Sequence, residues 1–207
     1  MEAALAVEDL AVARGGTVLL QGLSFRVAPG AALVLRGPNG IGKTSLLRTL
    51  AGLQPPVAGR MTGAGEEAAY ASHADGVKAQ LTVAENLEFW AGVHGRALDP
   101  GVLRQFDLVA LRDRLAGLLS AGQRRRAGLA RLAVAGRRVL LLDEPTVSLD
   151  AASAAGFTRW LAGVHLAAGG CAVIATHIDL GLEAPVLDLA AFRAPADAPG
   201  GAHEAFL

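Results

Sequence analysis

The sequence contains a single cysteine, few aromatic residues and no long apolar run. Because Cys171 stands alone, the chain can form neither an internal disulfide nor a metal site built from cysteines. It lies in the apolar run 171–175, so we expect a buried and unreactive thiol. No uninterrupted apolar stretch reaches the roughly 18 to 20 residues that a membrane-spanning helix needs. The chain is therefore not expected to cross a bilayer by itself.

An excess of charge of either sign is also absent. The 207 residues include 19 basic and 19 acidic side chains, and the formal net charge is zero. This balance provides no electrostatic basis for binding nucleic acid, so no nucleic-acid partner is predicted. Residues 1–4 do not begin a basic segment followed by an apolar one, which argues against a secretory signal and favours the cytoplasm. The length suits one domain, with room for an inserted lobe.

The sequence does contain a glycine-rich pattern of the kind that binds phosphate. Residues 37–44 match G-x-x-x-x-G-K-[ST] and lie between an apolar run, 31–35, and a run of helical spacing, 45–53. Backbone N–H groups of such a loop turn inward, and the following helix points its positive end at the same place. Lys43 is predicted to bind the β- and γ-phosphates, and the Thr44 hydroxyl to ligate Mg²⁺. The residues predicted to bind the phosphate chain of a nucleotide are Gly37, Pro38, Asn39, Gly40, Ile41, Gly42, Lys43, Thr44 and Ser45.

The rest of the chain predicts a mixed α/β fold around this loop. Short apolar runs and turns between residues 5 and 35 predict β-hairpins that form a small antiparallel sheet. Residues 81–132 have mostly helical spacing: Thr82 can cap a helix over 83–90, and the stretch 102–108 also has helical spacing. A further helix is predicted from about 151 to 168. We therefore expect a helical lobe, at about 78–135, inserted in an α/β core. The stretch from about 194 to 207 is rich in proline, alanine and glycine, and is predicted to be a flexible tail.

A serine and a glycine precede a second segment of helical character. Ser120 and Gly122 lie in the stretch 119–123, directly before three arginines at 124–126. The N-terminus of a helix can bind an anion through its free N–H groups. Taken alone, however, the pattern favours an ordinary capped helix with a solvated basic face.

Polar side chains follow two apolar runs that are typical of buried parallel strands. The run 139–142 ends in Asp143 and Glu144, and the run 171–175 is followed by His177. Because ligands of open α/β sheets bind beyond the carboxyl ends of the strands, these side chains are expected near the phosphate loop. Asp143 is predicted to hold Mg²⁺ directly or through water, Glu144 to accept a proton from the attacking water, and His177 to reach the γ-phosphate.

In this order the motifs resemble those of the ABC-type ATPases over nearly the whole chain. The segments are similar to Walker A at 37–44, the LSGGQ signature at 119–123, Walker B at 139–144, the D-loop at 148–150 and the switch histidine at His177. The resemblance implies the fold class α/β, with a P-loop NTPase core of ABC type, an N-terminal antiparallel β subdomain and an inserted helical lobe. It also implies a single nucleotide-binding domain spanning residues 1–207.

The resemblance further implies an ATP-dependent, head-to-tail homodimer. Each ATP would lie between the Walker A loop of one subunit and the signature of the other. The residues that would then contact nucleotide across the dimer, or beside it in the D-loop, are Ser120, Gly122, Gln123 and Asp150.

Two positions depart from the usual family pattern. Near the first hairpin turn, where the family usually has an aromatic ring under the adenine, this chain has Arg14. A guanidinium plane can stack on adenine, and a solvated side chain explains the residue equally well. At the position of the Q-loop glutamine, which contacts Mg²⁺ and the attacking water, the chain has His73. Its ring can serve the same catalytic role through a nitrogen or a water.

The segment 73–78 indicates one subgroup of the ABC-type ATPases. Together with 81–90 and 36–40, it is similar to the short ATP-binding subunits of haem exporters in bacterial cytochrome c maturation. This implies a peripheral position on the cytoplasmic face of the bacterial inner membrane and a separate integral-membrane permease subunit as partner. Haem-handling proteins would be indirect partners, and ATP hydrolysis would drive haem export or release of a haem-loaded chaperone.

Two other functions stay open from the sequence. The ATPase subunit of another small-molecule, lipid or polysaccharide exporter would have the same catalytic motifs, and only the segment 73–78 argues against it. A soluble ABC ATPase outside transport is less favoured, because the chain has neither a second Walker A motif nor a heptad run. A catalytically silent scaffold is disfavoured by the intact Lys43, Asp143, Glu144 and His177.

Overall fold

The computed structural model describes residues 3–195. Its strands are β1 (Leu5–Arg14), β2 (Thr17–Val27), β3 (Ala32–Arg36), β4 (Ala58–Thr62), β5 (Ala68–Ala71), β6 (Val139–Asp143), β7 (Cys171–Ala175) and β8 (Val186–Asp188). Its α-helices are α1 (Lys43–Leu50), α2 (Val83–Val93), α3 (Pro100–Gln105), α4 (Ala121–Ala135) and α5 (Ala151–Trp160). Apart from Ala194 and Pro195, the predicted flexible tail lies outside the described residues.

The strands form two sheets. Strands β2, β1 and β4, in that order, make an antiparallel sheet, and a parallel sheet has the order β5-β6-β7-β3-β8. In the parallel sheet, β6 and β7 are buried along their whole length, which explains their continuous apolar sequences. This mixed arrangement confirms the predicted fold class. Helices α2, α3 and α4 lie between β5 and β6 in the chain, within the predicted lobe.

The side chains of β6 alternate between two hydrophobic cores on opposite faces of the parallel sheet. Leu140 and Leu142 pack with residues of α2, α4 and α5, whereas Val139 and Leu141 pack with α1 and the antiparallel sheet. The strand that ends in Asp143 is therefore held from both sides. This packing fixes the position of its carboxyl end relative to the start of α1.

The antiparallel sheet differs from the prediction in two ways. Residues 5–27 form one long hairpin with bulges instead of several short ones, because β1 and β2 pair almost throughout. Its third strand, β4, was not predicted, since most of its side chains are exposed and it lacks an apolar alternation. Gly59 in β4 has φ +84°, and a Cβ atom there would collide with the backbone of Asp9. Close contact between backbones, and not side-chain pattern, determines this strand.

Several helix boundaries also differ from the predicted ones. Helix α1 begins two residues earlier, at Lys43, and α3 covers 100–105 instead of 102–108, because Asp99 caps it by accepting a hydrogen bond from the N–H of Gly101. The helix predicted over 151–168 is α-helical to Trp160 and continues as a π-helical segment to Leu166. The predicted start of α2 is confirmed by a capping box between Thr82 and Glu85.

Cys171 is fully buried in β7, as predicted. Burial raises the pKa of its thiol to about 11, which leaves almost no nucleophilic thiolate at neutral pH. Over residues 3–195, no helix has both the length and the apolar character needed to cross a membrane.

Candidate functional site

The glycine-rich loop between β3 and α1 is shaped to bind an anion. Gly37, Gly40 and Gly42 have φ values of +143°, +82° and +118°. At Gly42 a Cβ atom would lie 3.1 Å from the side chain of Leu20, so both the backbone angle and the available space require glycine. Helix α1 has no side-chain N-cap and no acidic residue in its first turn. Its free N–H groups and positive end are therefore available to a phosphate group.

Lys43 extends across this loop and is nearly buried. Its Nζ atom donates hydrogen bonds to the backbone oxygens of Gly37, at 2.6 Å, and Pro38, at 3.3 Å. No carboxylate pairs with Lys43 in the described part of the chain. A phosphate oxygen can replace these carbonyl oxygens as the hydrogen-bond acceptor. Because no carboxylate of the described residues neutralises the ammonium group, that hydrogen bond would be charge-assisted.

Thr44 and Asp143 connect the start of α1 to the end of β6. The Thr44 hydroxyl donates a 2.8 Å hydrogen bond to Oδ2 of Asp143, which is 2% exposed. The Tyr70 hydroxyl lies 3.4 Å from the same oxygen. Burial, together with the charge of Asp143, raises the pKa of Tyr70 to about 12, so the phenol stays protonated and remains a donor.

This oxygen pair fits Mg²⁺ that is bound together with a nucleotide. Mg²⁺ commonly takes one or two protein ligands and completes its octahedral shell with phosphate oxygens and water. Thr44 and Asp143 supply two adjacent oxygen donors of that kind. Within residues 3–195, no group of three or more His, Cys, Asp or Glu side chains could form a separate metal site. The donor set therefore suits a metal that arrives with phosphate.

Glu144 leaves the parallel sheet directly after Asp143 and contacts the residues around the phosphate loop. Its φ is +47°, and its N–H donates to the carbonyl oxygen of Ala175 at 2.8 Å. Its Oε1 atom lies 3.6 Å from Nε2 of His177, and the same nitrogen is 3.2 Å from Oδ1 of Asn39. Three segments far apart in sequence thus meet at one edge of the sheet. Glu144 is largely buried, whereas about half of the His177 side chain is exposed.

His73 and Arg14 are placed differently with respect to this site. Nε2 of His73 lies 3.9 Å from Oδ2 of Asp143, which brings the ring next to the proposed magnesium ligands. Arg14 is exposed at the end of β1, beside the first hairpin turn. Within the described residues its side chain forms no hydrogen bond or ion pair. The hairpin itself reaches the loop through Leu20, which packs against Gly42.

The predicted signature residues form the N-terminus of α4. Ser120 accepts a hydrogen bond from the N–H of Gln123, and the Gln123 side chain accepts one from the N–H of Ser120. A Cβ atom on Gly122 would lie 3.0 Å from the carbonyl oxygen of Ser148, so glycine permits close packing on the D-loop segment. Asp150 caps α5 through the N–H of Ser153, a bond that lowers the pKa of its carboxyl. Over residues 3–195, no hydrogen bond or ion pair joins these side chains to the phosphate loop.

Arg125 is a residue beside the site that the sequence interpretation missed. Its guanidinium group is buried and donates to backbone oxygens of Ser72 at 2.8 Å, Glu144 at 3.0 Å and Pro145 at 3.0 Å. It also forms a 3.2 Å ion pair with Asp75. Arg125 thereby joins α4, the turn that contains Glu144 and the segment after β5.

The interpretation of residues 124–126 as a solvated basic face is wrong for Arg125. A signal was present in the sequence, because Arg125, Leu129 and Leu132 share the spacing of one helix face. All three are buried. A charged residue on an apolar helix face indicates a buried partner, although spacing alone does not identify that partner.

Comparison with known proteins agrees with the motifs. The family profile described as ABC transporter matches residues 20–147. The cytochrome c biogenesis ATP-binding export protein CcmA of Rhodobacter capsulatus is 61% identical over 203 residues, covering 98% of this chain and 94% of the relative. The protein of the same description from Roseobacter denitrificans is 58% identical and is covered over 99% of its length.

The fold agrees with solved structures of lower sequence identity. An ABC transporter ATP-binding protein from Pyrococcus furiosus matches with a TM-score of 0.81 and 22% identity, covering 92% of this chain and 99% of that structure. At this identity the match supports the fold alone. The family profile and the relatives that match over nearly their full length establish the family as well. This chain belongs to the ABC transporter family and, within it, to the cytochrome c biogenesis ATP-binding export proteins.

Proposed function

We propose that this chain is the ATP-hydrolysing subunit of a transport complex in cytochrome c biogenesis, most specifically of a haem exporter. The reaction is the hydrolysis of ATP by water to ADP and phosphate. It takes place in a single nucleotide-binding domain, residues 1–207, which includes a helical lobe at about 78–135. One observation supports this chemistry above the others: the Thr44 hydroxyl is 2.8 Å from the Asp143 carboxylate, and Glu144 follows at once. A magnesium site and a general base then lie beside the phosphate loop.

Binding depends on residues of the loop and the start of α1. The N–H groups around Gly42 and the ammonium of Lys43 hold the β- and γ-phosphates. Thr44 and Asp143 would hold Mg²⁺, which neutralises charge on the phosphates when it is bound. Ser45, directly behind them in α1, is buried with its backbone in the first turn and contributes its N–H group.

Hydrolysis depends on the strand-end residues. The Glu144 carboxylate accepts a proton from the water that attacks the γ-phosphorus in line, and the bond to the β-phosphate oxygen breaks as ADP leaves. His177, 3.6 Å from Glu144 and 3.2 Å from Asn39, contacts the γ-phosphate and orients that water. His73, next to Asp143, occupies the position of the glutamine that usually contacts the metal and the water.

A second copy of the chain completes the site. Ser120, Gly122 and Gln123 lie at a helix N-terminus, a typical anion-binding position, yet they do not contact their own phosphate loop. A head-to-tail homodimer explains this separation, because the signature of each subunit then faces the ATP that is bound by the partner. Asp150, at the start of α5, belongs to the same contact region.

Mixing two inactive variants is expected to restore ATP hydrolysis. Lys43→Ala disables the phosphate loop and Ser120→Arg disables the signature, so each variant alone forms only defective sites. In a mixed head-to-tail dimer both defects fall in one site and the other site is intact. Random mixing should therefore recover up to about one quarter of wild-type activity, measured as phosphate release. Two folded variants that stay inactive together, beside a wild-type activity per chain that does not change with dilution, would refute the shared site.

The transport role is supported by the full-length similarity to CcmA proteins and by the segment 73–78. We place the chain on the cytoplasmic face of the bacterial inner membrane, bound to an integral-membrane permease and linked through it to haem-handling proteins. Helix α2 exposes Phe89 and Val93, apolar side chains that suit such a protein contact.

Deleting the gene for this chain is expected to remove mature c-type cytochromes from the cell, because haem delivery would lack its ATP-driven step. Haem staining of membrane proteins on gels measures this directly. In parallel, a tagged Glu144→Gln chain should co-purify from detergent extract with a membrane permease. For the deletion, the control is that the wild-type gene, but not the Lys43→Ala gene, restores the c-type cytochromes. Normal cytochromes together with loss of lipid or polysaccharide export would favour the alternative exporter function instead.

A further inference from the structure

A cavity of about 400 Å³ lies at the edge of the parallel sheet opposite the nucleotide site. Its lining includes Arg137 and Arg138, just before β6, and Gly170, just before β7. These are the amino ends of the strands, whereas the phosphate loop and Asp143 lie at the carboxyl ends. The cavity is therefore separate from the ATP site.

Three arginines without carboxylate partners line this cavity. Arg96 joins Arg137 and Arg138, and none of the three takes part in an ion pair among residues 3–195. The one carboxylate in the lining, Asp99, accepts the N–H of Gly101 at 2.8 Å and caps α3. Like charges gathered around one space repel each other, and an anion between them would relieve that repulsion.

Hydrogen bonds within the fold account for the positions of Arg96 and Arg137 but not of Arg138. Arg96 lies 3.5 Å from the carbonyl oxygen of Gly136, at the C-terminus of α4, where the helix dipole attracts a cation. Arg137 lies 3.3 Å from Nδ1 of His94. Burial lowers the pKa of His94, and Arg137 and Arg96 lower it further, so the ring stays neutral and accepts this hydrogen bond. Arg138 is exposed and forms no side-chain hydrogen bond within the described residues.

Part of the cavity lining is apolar. Trp160, Val102 and Leu132 contribute buried side chains, and Val164 contributes an exposed one. His165, also in the lining, has its Nε2 atom 3.1 Å from the carbonyl oxygen of Cys171. A volume of this size and a mixed lining are typical of sites for small organic ligands. The ligand that fits has an anionic group at one end and an apolar part at the other.

We propose that this cavity binds a small organic anion, whose carboxylate or phosphate group contacts Arg137 and Arg138 and whose apolar part packs against Trp160. Guanidinium groups bind both kinds of oxyanion through paired N–H donors. The site does not depend on ATP hydrolysis.

Phenyl phosphate and benzoate are suitable probes, because each combines an anionic group with an aromatic ring. The chain contains two tryptophans, so in a Trp90→Phe background the fluorescence comes from Trp160 in the cavity wall. We expect a saturable change in Trp160 fluorescence with at least one probe, weaker at high salt. Inorganic phosphate, which lacks the apolar part, should bind more weakly than phenyl phosphate.

Matched variants test the assignment. Arg137→Gln with Arg138→Gln should weaken probe binding by at least about tenfold, because charge-assisted hydrogen bonds are lost. Arg114→Gln, which removes the same charge from an exposed position on the lobe, should leave binding unchanged. Lys43→Ala should also leave it unchanged, which separates this cavity from the phosphate loop. If the double variant fails to fold by circular dichroism, Arg138→Gln alone replaces it, since that side chain is exposed.

Three results would overturn the proposal. The first is no saturable fluorescence change with either probe up to millimolar concentrations. The second is binding by the arginine variants that equals that of the Arg114→Gln control. The third is loss of binding in Lys43→Ala, which would assign the signal to the nucleotide site.

Discussion

Replacing Glu144 with glutamine is expected to reduce ATP turnover by about 10²- to 10⁴-fold and to leave ATP binding nearly unchanged. Glutamine has the shape of glutamate but cannot accept the proton of the attacking water. The main-chain bond from residue 144 to Ala175, and the contacts of Lys43 and Thr44, do not involve the carboxylate. Steady-state phosphate release measures turnover, and equilibrium binding of a labelled ATP measures affinity.

A matched control separates the role of Glu144 from a loss of charge. Glu88→Gln makes the same chemical change at an exposed position on α2 and should keep wild-type turnover. His177→Ala should lower turnover as well, because this ring lies 3.6 Å from the Glu144 carboxylate. Turnover by the Glu144→Gln protein at the level of the control would remove Glu144 as the base.

Arg125→Met is expected to lower the free energy of unfolding by roughly 3 to 5 kcal/mol, the usual range for breaking a buried ion pair from one side. The variant leaves the backbone oxygens of Ser72, Glu144 and Pro145, and the carboxylate of Asp75, without their donor. Urea denaturation followed by circular dichroism measures the change. The neighbouring variant Arg124→Met is the control and should cost less than about 1 kcal/mol, since Arg124 makes one backbone bond and is partly exposed.

The same variant should also affect catalysis under conditions where it is folded. Arg125 holds the carbonyl oxygen of Glu144 at 3.0 Å, so its loss should lower kcat more than it changes KM for ATP. Arg125→Lys should recover part of the stability, because it keeps the charge but lacks the planar set of donors. Equal stability of the Arg125→Met and Arg124→Met proteins would show that the guanidinium contacts do not stabilise this turn.

Much of the site could be predicted because its parts are local in the sequence. The phosphate loop depends on glycines at fixed spacing between a strand and a helix. Asp143, Glu144 and His177 are recognisable because each follows an apolar strand, and parallel strands bring their carboxyl ends to one edge. That these side chains lie close together could be predicted without knowledge of the packing. The distances between them could not.

Other features are not encoded by local spacing. Strand β4 is mostly exposed and pairs with β1 across a close backbone contact at Gly59, which no apolar pattern indicates. Glu144 has a positive φ, and its carbonyl oxygen accepts a hydrogen bond from Arg125 of another helix, which no local spacing indicates.

The sequence by itself therefore determined the fold class, the nucleotide loop and the order of the motifs, because backbone conformation and burial follow from residue type and period. Only the tertiary structure decided what Arg125 contacts, and which arginines line the cavity before β6 and β7. The partners of Arg125, such as Ser72 and Asp75, lie about fifty positions away in the chain. The free energy of a buried charge depends on such distant partners, and packing alone brings them within hydrogen-bonding distance.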